Sequence, residues 1–208
     1  MIRKLSSLAI ALSLAGCSGG LGGGEYGVNS PYSLVRAKSV SVGDDSLVVS
    51  PPHEWNRTRT FFFSDDVRWV EDWTLNGPLL DSMSFVSGLP SGKYLIRQSR
   101  RADRQVPKFR SDMTAPEVAA MVESLFRIRG GTVDFRSTSL KPRNFLGVNG
   151  FQLDFEHLDT DELQRRGRAV GAVVDGKLYL ILFDAARSHY FEAAEPDFEA
   201  IVNSARRA

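Results

Sequence analysis

Six consecutive apolar residues, Leu178-Tyr179-Leu180-Ile181-Leu182-Phe183, leave this chain few ways to fold. Side chains alternate across a strand, so a strand apolar on both faces has to be covered above and below. Asp175-Gly176 stands just before the run and accepts the positive φ angles of a tight turn. Residues 169–174 precede that turn and supply a hairpin partner. The expectation is a central strand in an antiparallel sheet with packed elements on each face.

Further strand signals agree. Asn76-Gly77 separates apolar-rich residues 67–75 from 79–86, again as a hairpin. Asn149-Gly150 precedes Phe151-Gln152-Leu153-Asp154-Phe155-Glu156, whose strict alternation reads as a half-buried strand. Residues 132–140 alternate through Val133 and Phe135 and are its expected partner. Two helices are marked. Thr114-Ala115-Pro116-Glu117 fits a capping box, with Val118, Met121, Val122 and Leu125 as one apolar stripe and Gly130 as the stop. The second opens near Pro196, shows Phe198, Ile201, Val202 and Ala205 on one face, and ends at Arg206 and Arg207. The fold class is therefore α+β, a mainly antiparallel β-sheet with packed helices in a single domain.

The N-terminus has a different character. Arg3 and Lys4 precede a short apolar stretch, then small residues, then Cys17, the only cysteine. The apolar stretch is roughly half the ~20 residues a membrane-spanning helix needs. Leu14-Ala15-Gly16-Cys17 resembles the lipobox of bacterial lipoproteins. That resemblance implies a signal peptide over residues 1–16, lipid on Cys17 and a protein held at the membrane by its anchor. Ser18, in place of aspartate, implies passage to the outer membrane, with the domain facing the periplasm. A lone cysteine cannot form an intrachain disulfide, which suits a lipidated residue. The glycine-rich stretch through residue 31 reads as a flexible tether of about 20 Å, with residues 32–208 as the globular domain.

Charge narrows the function. The chain's 26 Lys and Arg against 25 Asp and Glu become 24 against 25 once Arg3 and Lys4 leave with the signal. A near-neutral domain lacks the strongly basic face that nucleic-acid binding demands, so no nucleic-acid partner is expected.

Gly176-Lys177-Leu178-Tyr179, then Ala185, Tyr190-Phe191, Phe198, Ile201-Val202 and Ser204 resemble the ending of PsbP-like domains. There a last apolar strand leads through a short loop into a terminal helix that closes an antiparallel sheet. The resemblance implies a module that binds and scaffolds protein partners, and it transfers no catalytic residue. The whole mature chain also looks like uncharacterised envelope lipoproteins, with Glu71-Asp72-Trp73-Thr74 and Gly77 as the most family-like stretch.

No catalytic residue, metal ligand set or cofactor motif stands out. His53, His157 and His189 lack the spacing of a zinc-protease helix and read as surface or satisfied core histidines. Gly88-Leu89-Pro90-Ser91-Gly92 puts its serine one place off the nucleophile elbow. Asp159-Thr160-Asp161-Glu162 opens like a calcium loop without its downstream glycine and glutamate. Two contact candidates remain. Trp69, Glu71 and Trp73 share one side of a strand, as a ligand pocket anchored by Glu71 or, more plainly, with Glu71 bonded to an arginine across the sheet. Arg97, Arg100, Arg101 and Arg104 crowd a basic segment, either a solubilising loop or a contact for anionic lipid or an acidic envelope partner. The expected function is a lipid-anchored, periplasm-facing interaction or assembly module without catalytic activity. The alternatives are a small-ligand or lipid-binding lipoprotein and, further off, a hydrolase of envelope polymers.

Overall fold

The computed structural model describes residues 31–58, 67–96 and 106–208. Eight strands form one sheet in the order β1 (Tyr32–Val35), β4 (Trp55–Thr58), β5 (Val70–Thr74), β6 (Asp81–Pro90), β10 (Lys177–Ala186), β9 (Gln164–Val174), β8 (Val148–Leu158) and β7 (Asp134–Phe145). Every neighbouring pair is antiparallel. A small second sheet holds β2 (Val40–Val42), β3 (Leu47–Val49) and β11 (Arg206–Arg207).

The apolar strand β10 lies in the middle and divides two cores. Leu178, Leu180 and Leu182 face α1 (Ala115–Leu125), whose Val118, Met121, Val122 and Leu125 are buried against them. Tyr179, Ile181 and Phe183 face α2 (Tyr190–Ser204), with Phe183 stacked on Phe191 at 5.2 Å between ring centroids. Helices on opposite faces of one antiparallel sheet make three layers.

Turn chemistry explains the hairpins and moves two of them. Asp175 and Gly176 both adopt positive φ, 49° and 73°, and join β9 to β10 directly. Between β7 and β8 the turn is Leu146-Gly147, with φ of 53° and 78°, three residues before the expected dipeptide. Gly150 lies inside β8, where a Cβ would stand 2.3 Å from the Gly171 carbonyl oxygen. Asn76-Gly77 belongs to a six-residue connection, 75–80, organised by the fully buried Asp81. Its carboxylate accepts from Thr74 Oγ1, the Leu75 and Asn76 amides and Asn76 Nδ2, all within 2.9 Å.

The helices correct the sequence expectation at their ends. Glu117 reaches back to the Thr114 N–H at 2.7 Å and accepts its hydroxyl at 2.8 Å. Helix α1 runs on through a π-turn, Phe126–Gly130, and the left-handed stop is Gly131 rather than Gly130. Helix α2 starts at Tyr190, six residues before Pro196, because Phe191 and Ala194 extend its buried stripe and the core holds that first turn. Arg206 and Arg207 lie beyond the helix in β11, paired with Val48 and Leu47.

Candidate functional site

The candidate residues of β5 do not gather into one pocket. Strand β5 begins at Val70, so Trp69 precedes it and packs on the α1 side, its Nε1–H donating to the Tyr94 carbonyl at 2.9 Å. Trp73 is fully buried on the α2 side. Glu71 shares that side and forms an ion pair with Arg57 of β4 at 2.6 Å. It also accepts from Trp73 Nε1 at 2.6 Å and the Gly43 N–H at 3.1 Å. Its oxygens are committed within the fold. Cys17, Arg97, Arg100, Arg101 and Arg104 lie outside the described residues.

The chemistry-bearing residues gather elsewhere, at the end of the sheet where β8, β9 and β10 meet. His157, near the end of β8, has a side chain only 1% exposed, wedged among Phe126, Phe135 and Phe155. Its Nδ1 lies 2.9 Å from Asp159 Oδ1 and its Nε2 lies 2.8 Å from Asp184 Oδ1. Arg165 of β9 pairs with Asp159 through Nε at 2.7 Å. Thr132 Oγ1 donates to Asp159 at 2.9 Å and sits 3.3 Å from the histidine Nδ1. The knot joins β8, β9, β10 and the segment after α1. Arg165 also donates to the Leu79 carbonyl before β6.

Electrostatics fixes the protonation state. Burial disfavours a charged ring, but hydrogen bonds to Asp159 and Asp184, with the charges of both, outweigh it and raise the His157 pKa to about 9. Burial likewise raises Asp159. The hydrogen bond and charge of His157, the Thr132 hydroxyl and the Arg165 charge prevail and hold it below its ordinary value. Two carboxylates flank opposite ring nitrogens, so both nitrogens donate and the ring is an imidazolium at neutral pH. Imidazolium and guanidinium together balance Asp159 and Asp184. Thr132, His157 and Asp184 align like a hydroxyl–histidine–carboxylate relay, yet the ring has no lone pair to take a hydroxyl proton.

The other sequence candidates are accounted for in the fold. His53 pairs with Asp197 and stacks on Trp55. His189 stands edge-on to Tyr190 before α2. The Ser91 hydroxyl accepts from the Ser111 N–H at 3.2 Å. Of the calcium-loop stretch, Asp159 belongs to the knot and Asp161 accepts from the Leu163 amide. Among the described residues no group of three His, Cys, Asp or Glu side chains is arranged to hold a metal ion. No helix among them is long and apolar enough to cross a membrane. Sequence reasoning missed Asp184 and Arg165; the signal for Asp184 was a carboxylate directly after the apolar run of β10.

A second charged cluster clamps α2 to the outer strands. Arg168 of β9 contacts Asp154 at 2.5 Å, Glu195 at 2.6 Å and Glu199 at 3.1 Å, and Arg143 of β7 meets Glu199 at 2.7 Å. Burial raises the Glu199 pKa, but the Arg143 hydrogen bond and charge, then those of Arg168, hold it below the ordinary carboxylate value.

With three layers, eight antiparallel strands and a terminal helix closing the last strand, the fold can be compared with known proteins. No protein-family model matches the chain, and no curated protein does. The solution structure of cyanobacterial PsbP (CyanoP) from Synechocystis sp. PCC 6803 is similar over 93% of this chain and 100% of that one, with 18% identity and a TM-score of 0.55. The fold is PsbP-like. The crystal structure of LpqN, involved in cell envelope biogenesis of Mycobacterium tuberculosis, aligns over 87% of each chain at 10% identity, and its TM-score of 0.36 carries no argument about this chain. The likeness to CyanoP is one of fold and transfers no residue role.

Proposed function

We propose that this chain is a lipid-anchored module of a bacterial envelope, facing the periplasm at the outer membrane, that works by binding partners rather than by turning over a substrate. The observation that carries the non-catalytic part is His157. The one described hydroxyl–histidine–carboxylate alignment is closed by a second carboxylate, Asp159, which holds the ring as a cation. A general base needs a free lone pair near neutral pH. The PsbP-like fold supports the same reading through the binding and scaffolding role the resemblance implies. Cys17 carries the anchor, and Arg97, Arg100, Arg101 and Arg104 supply a basic contact for anionic lipid or an acidic partner.

Two measurements test this reading. In detergent phase partition the wild type is expected in the detergent phase and Cys17→Ser in the aqueous phase or uncleaved; a mature Cys17→Ser domain that still follows detergent overturns the anchor. The Thr132–His157–Asp184 alignment is what favours the hydrolase alternative. Hydrolysis of p-nitrophenyl acetate by wild type and Thr132→Ala is expected to be equal; turnover lost in Thr132→Ala contradicts a non-catalytic module.

A further inference from the structure

We propose that the domain lies against an anionic phospholipid surface through the end of the sheet where β6 finishes and β10 begins. The inference deepens the lipid-anchored reading and rests on it. Register shows which elements share this end. Lys177 of β10 stands opposite Pro90 of β6 on one side and Val174 of β9 on the other. Segment 106–111 is held here, because the Gly92 N–H donates to the Phe109 carbonyl and the Phe109 N–H to the Lys93 carbonyl. The β2–β3 turn is held through Asp44, which accepts from the Ser87 hydroxyl at 2.8 Å, and β11 follows by pairing with β3. Strand β1 starts on this side as well. It is antiparallel to β4, β4 to β5 and β5 to β6, so β6 runs toward this end and β1 away from it. The chain between Cys17 and Tyr32, about 20 Å as a flexible coil, keeps the domain within reach of the bilayer.

Charge separates this end from the other. Arg68, Lys93, Lys108, Lys177 and Arg206 are exposed here, and none has a carboxylate within ion-pair distance among the described residues. Two more arginines are already paired, Arg110 with Asp112 and Glu117 at 3.0 Å and Arg207 with Asp175. The acids without an ion pair are Asp45, which is exposed, and Asp44, which accepts from the Ser46 and Ser87 hydroxyls and feels the charge of Lys177. The free charge is therefore positive. At the opposite end the exposed cations without ion pairs, Arg36, Lys38 and Arg187, are outnumbered by Glu54, Asp134, Glu162 and Glu192.

The layout of these cations favours a bilayer as the occupant. They stand on separate turns and strand ends, so they meet a broad layer of phosphates better than a single anion in a pocket. Protein interfaces centre on large apolar or aromatic anchors. Among the described residues the exposed large hydrophobic side chains are Leu34, Leu79, Val133 and Leu140, and none of them lies at this end. Near an anionic leaflet each cation strengthens binding about fivefold, and salt screens the effect.

The test uses the full lipidated chain in vesicles of phosphatidylcholine alone or of phosphatidylcholine and phosphatidylglycerol at roughly three parts to one. Cys17 is the only cysteine and is acylated on this reading, so a fluorophore goes only to an introduced thiol. Ser111→Cys labels the basic end and Leu79→Cys the opposite one. Energy transfer to an acceptor on the lipid headgroups is expected to be stronger from position 111 than from position 79 on the anionic vesicles. The difference is expected to vanish on the neutral vesicles and to shrink with added salt. Lys93→Glu, Lys177→Glu and Arg206→Glu together are expected to lower the docked-to-undocked ratio at least about a hundredfold, with little change in melting temperature. Lys141→Glu, an exposed cation half-way along β7, is expected to change nothing. Equal transfer from the two labels on anionic vesicles, or a triple variant that keeps the difference, overturns the docking surface while the anchor stands. A chain that leaves the vesicles altogether removes the anchored reading and this surface with it.

Discussion

Two charge clusters lie one row apart at the same end of the sheet, and they are built on opposite principles. Around His157 two cations meet two carboxylates in a site almost closed to solvent, and the ring spends both nitrogens on its partners. In the neighbouring row Arg136, opposite Glu156, is 70% exposed and their ion pair lies at the surface. A closed, balanced cluster in low dielectric organises the fold, and breaking it strands a buried charge. An open cluster in water contributes little to stability. Similar side chains thus organise the fold in one row and pair at the surface in the next.

The largest expected effect breaks the closed cluster. Asp184→Ala leaves His157 and Arg165 short of a counter-charge in the interior, and should cost about 3–5 kcal/mol in a denaturant titration. Leu182→Ala, which removes a buried side chain between the sheet and α1 without touching charge, should cost roughly 2–5 kcal/mol and serves as the apolar yardstick. Gly167→Ala probes the packing beneath the knot. A Cβ there would lie within 2.6 Å of three Phe155 ring atoms, and Phe155 is itself stacked on Phe135, so overpacking of about 1–3 kcal/mol should appear as a lowered melting temperature. Arg136→Gln, in the open cluster, should shift stability by less than about 1 kcal/mol. If Arg136→Gln and Asp184→Ala cost the same, the distinction between the clusters fails.

Much of the fold was legible because its signals are local. The β10 run requires two covering layers, and the layers are there as α1 and α2. Strand pairing around Asp175-Gly176 starts from Val174 and Lys177, only three apart in sequence. What was not legible depended on tertiary context. The apolar stripe of α2 reaches back past Pro196 because Phe191 finds Phe183 across the core. Glu71, Trp73 and Trp69 share a period-two pattern, but β5 starts only at Val70, so Trp69 falls on the other face. The knot was least visible. Thr132, His157, Arg165 and Asp184 come from distant stretches that only the strand register brings together, and each looks ordinary alone.

The central claim is that His157 is held as a structural cation, and the pH dependence of its ring tests it most directly. A pKa of about 9 lies above the ordinary 6.5, so the folded state binds a proton the unfolded chain has lost between those values. The knot's contribution should therefore be complete below about pH 6.5, decline as pH rises, and be gone above about 9. Asp159, held below its ordinary 3.8, sets the acid limit, and its contribution fades as pH falls beneath that value. Nitrogen NMR of the His157 ring should show both nitrogens protonated at pH 7.5 and a single titration near 9 that is abolished in His157→Gln. A ring that titrates near its ordinary 6.5, with one nitrogen unprotonated at pH 7.5, would contradict the closed cluster and restore His157 as a base beside Thr132.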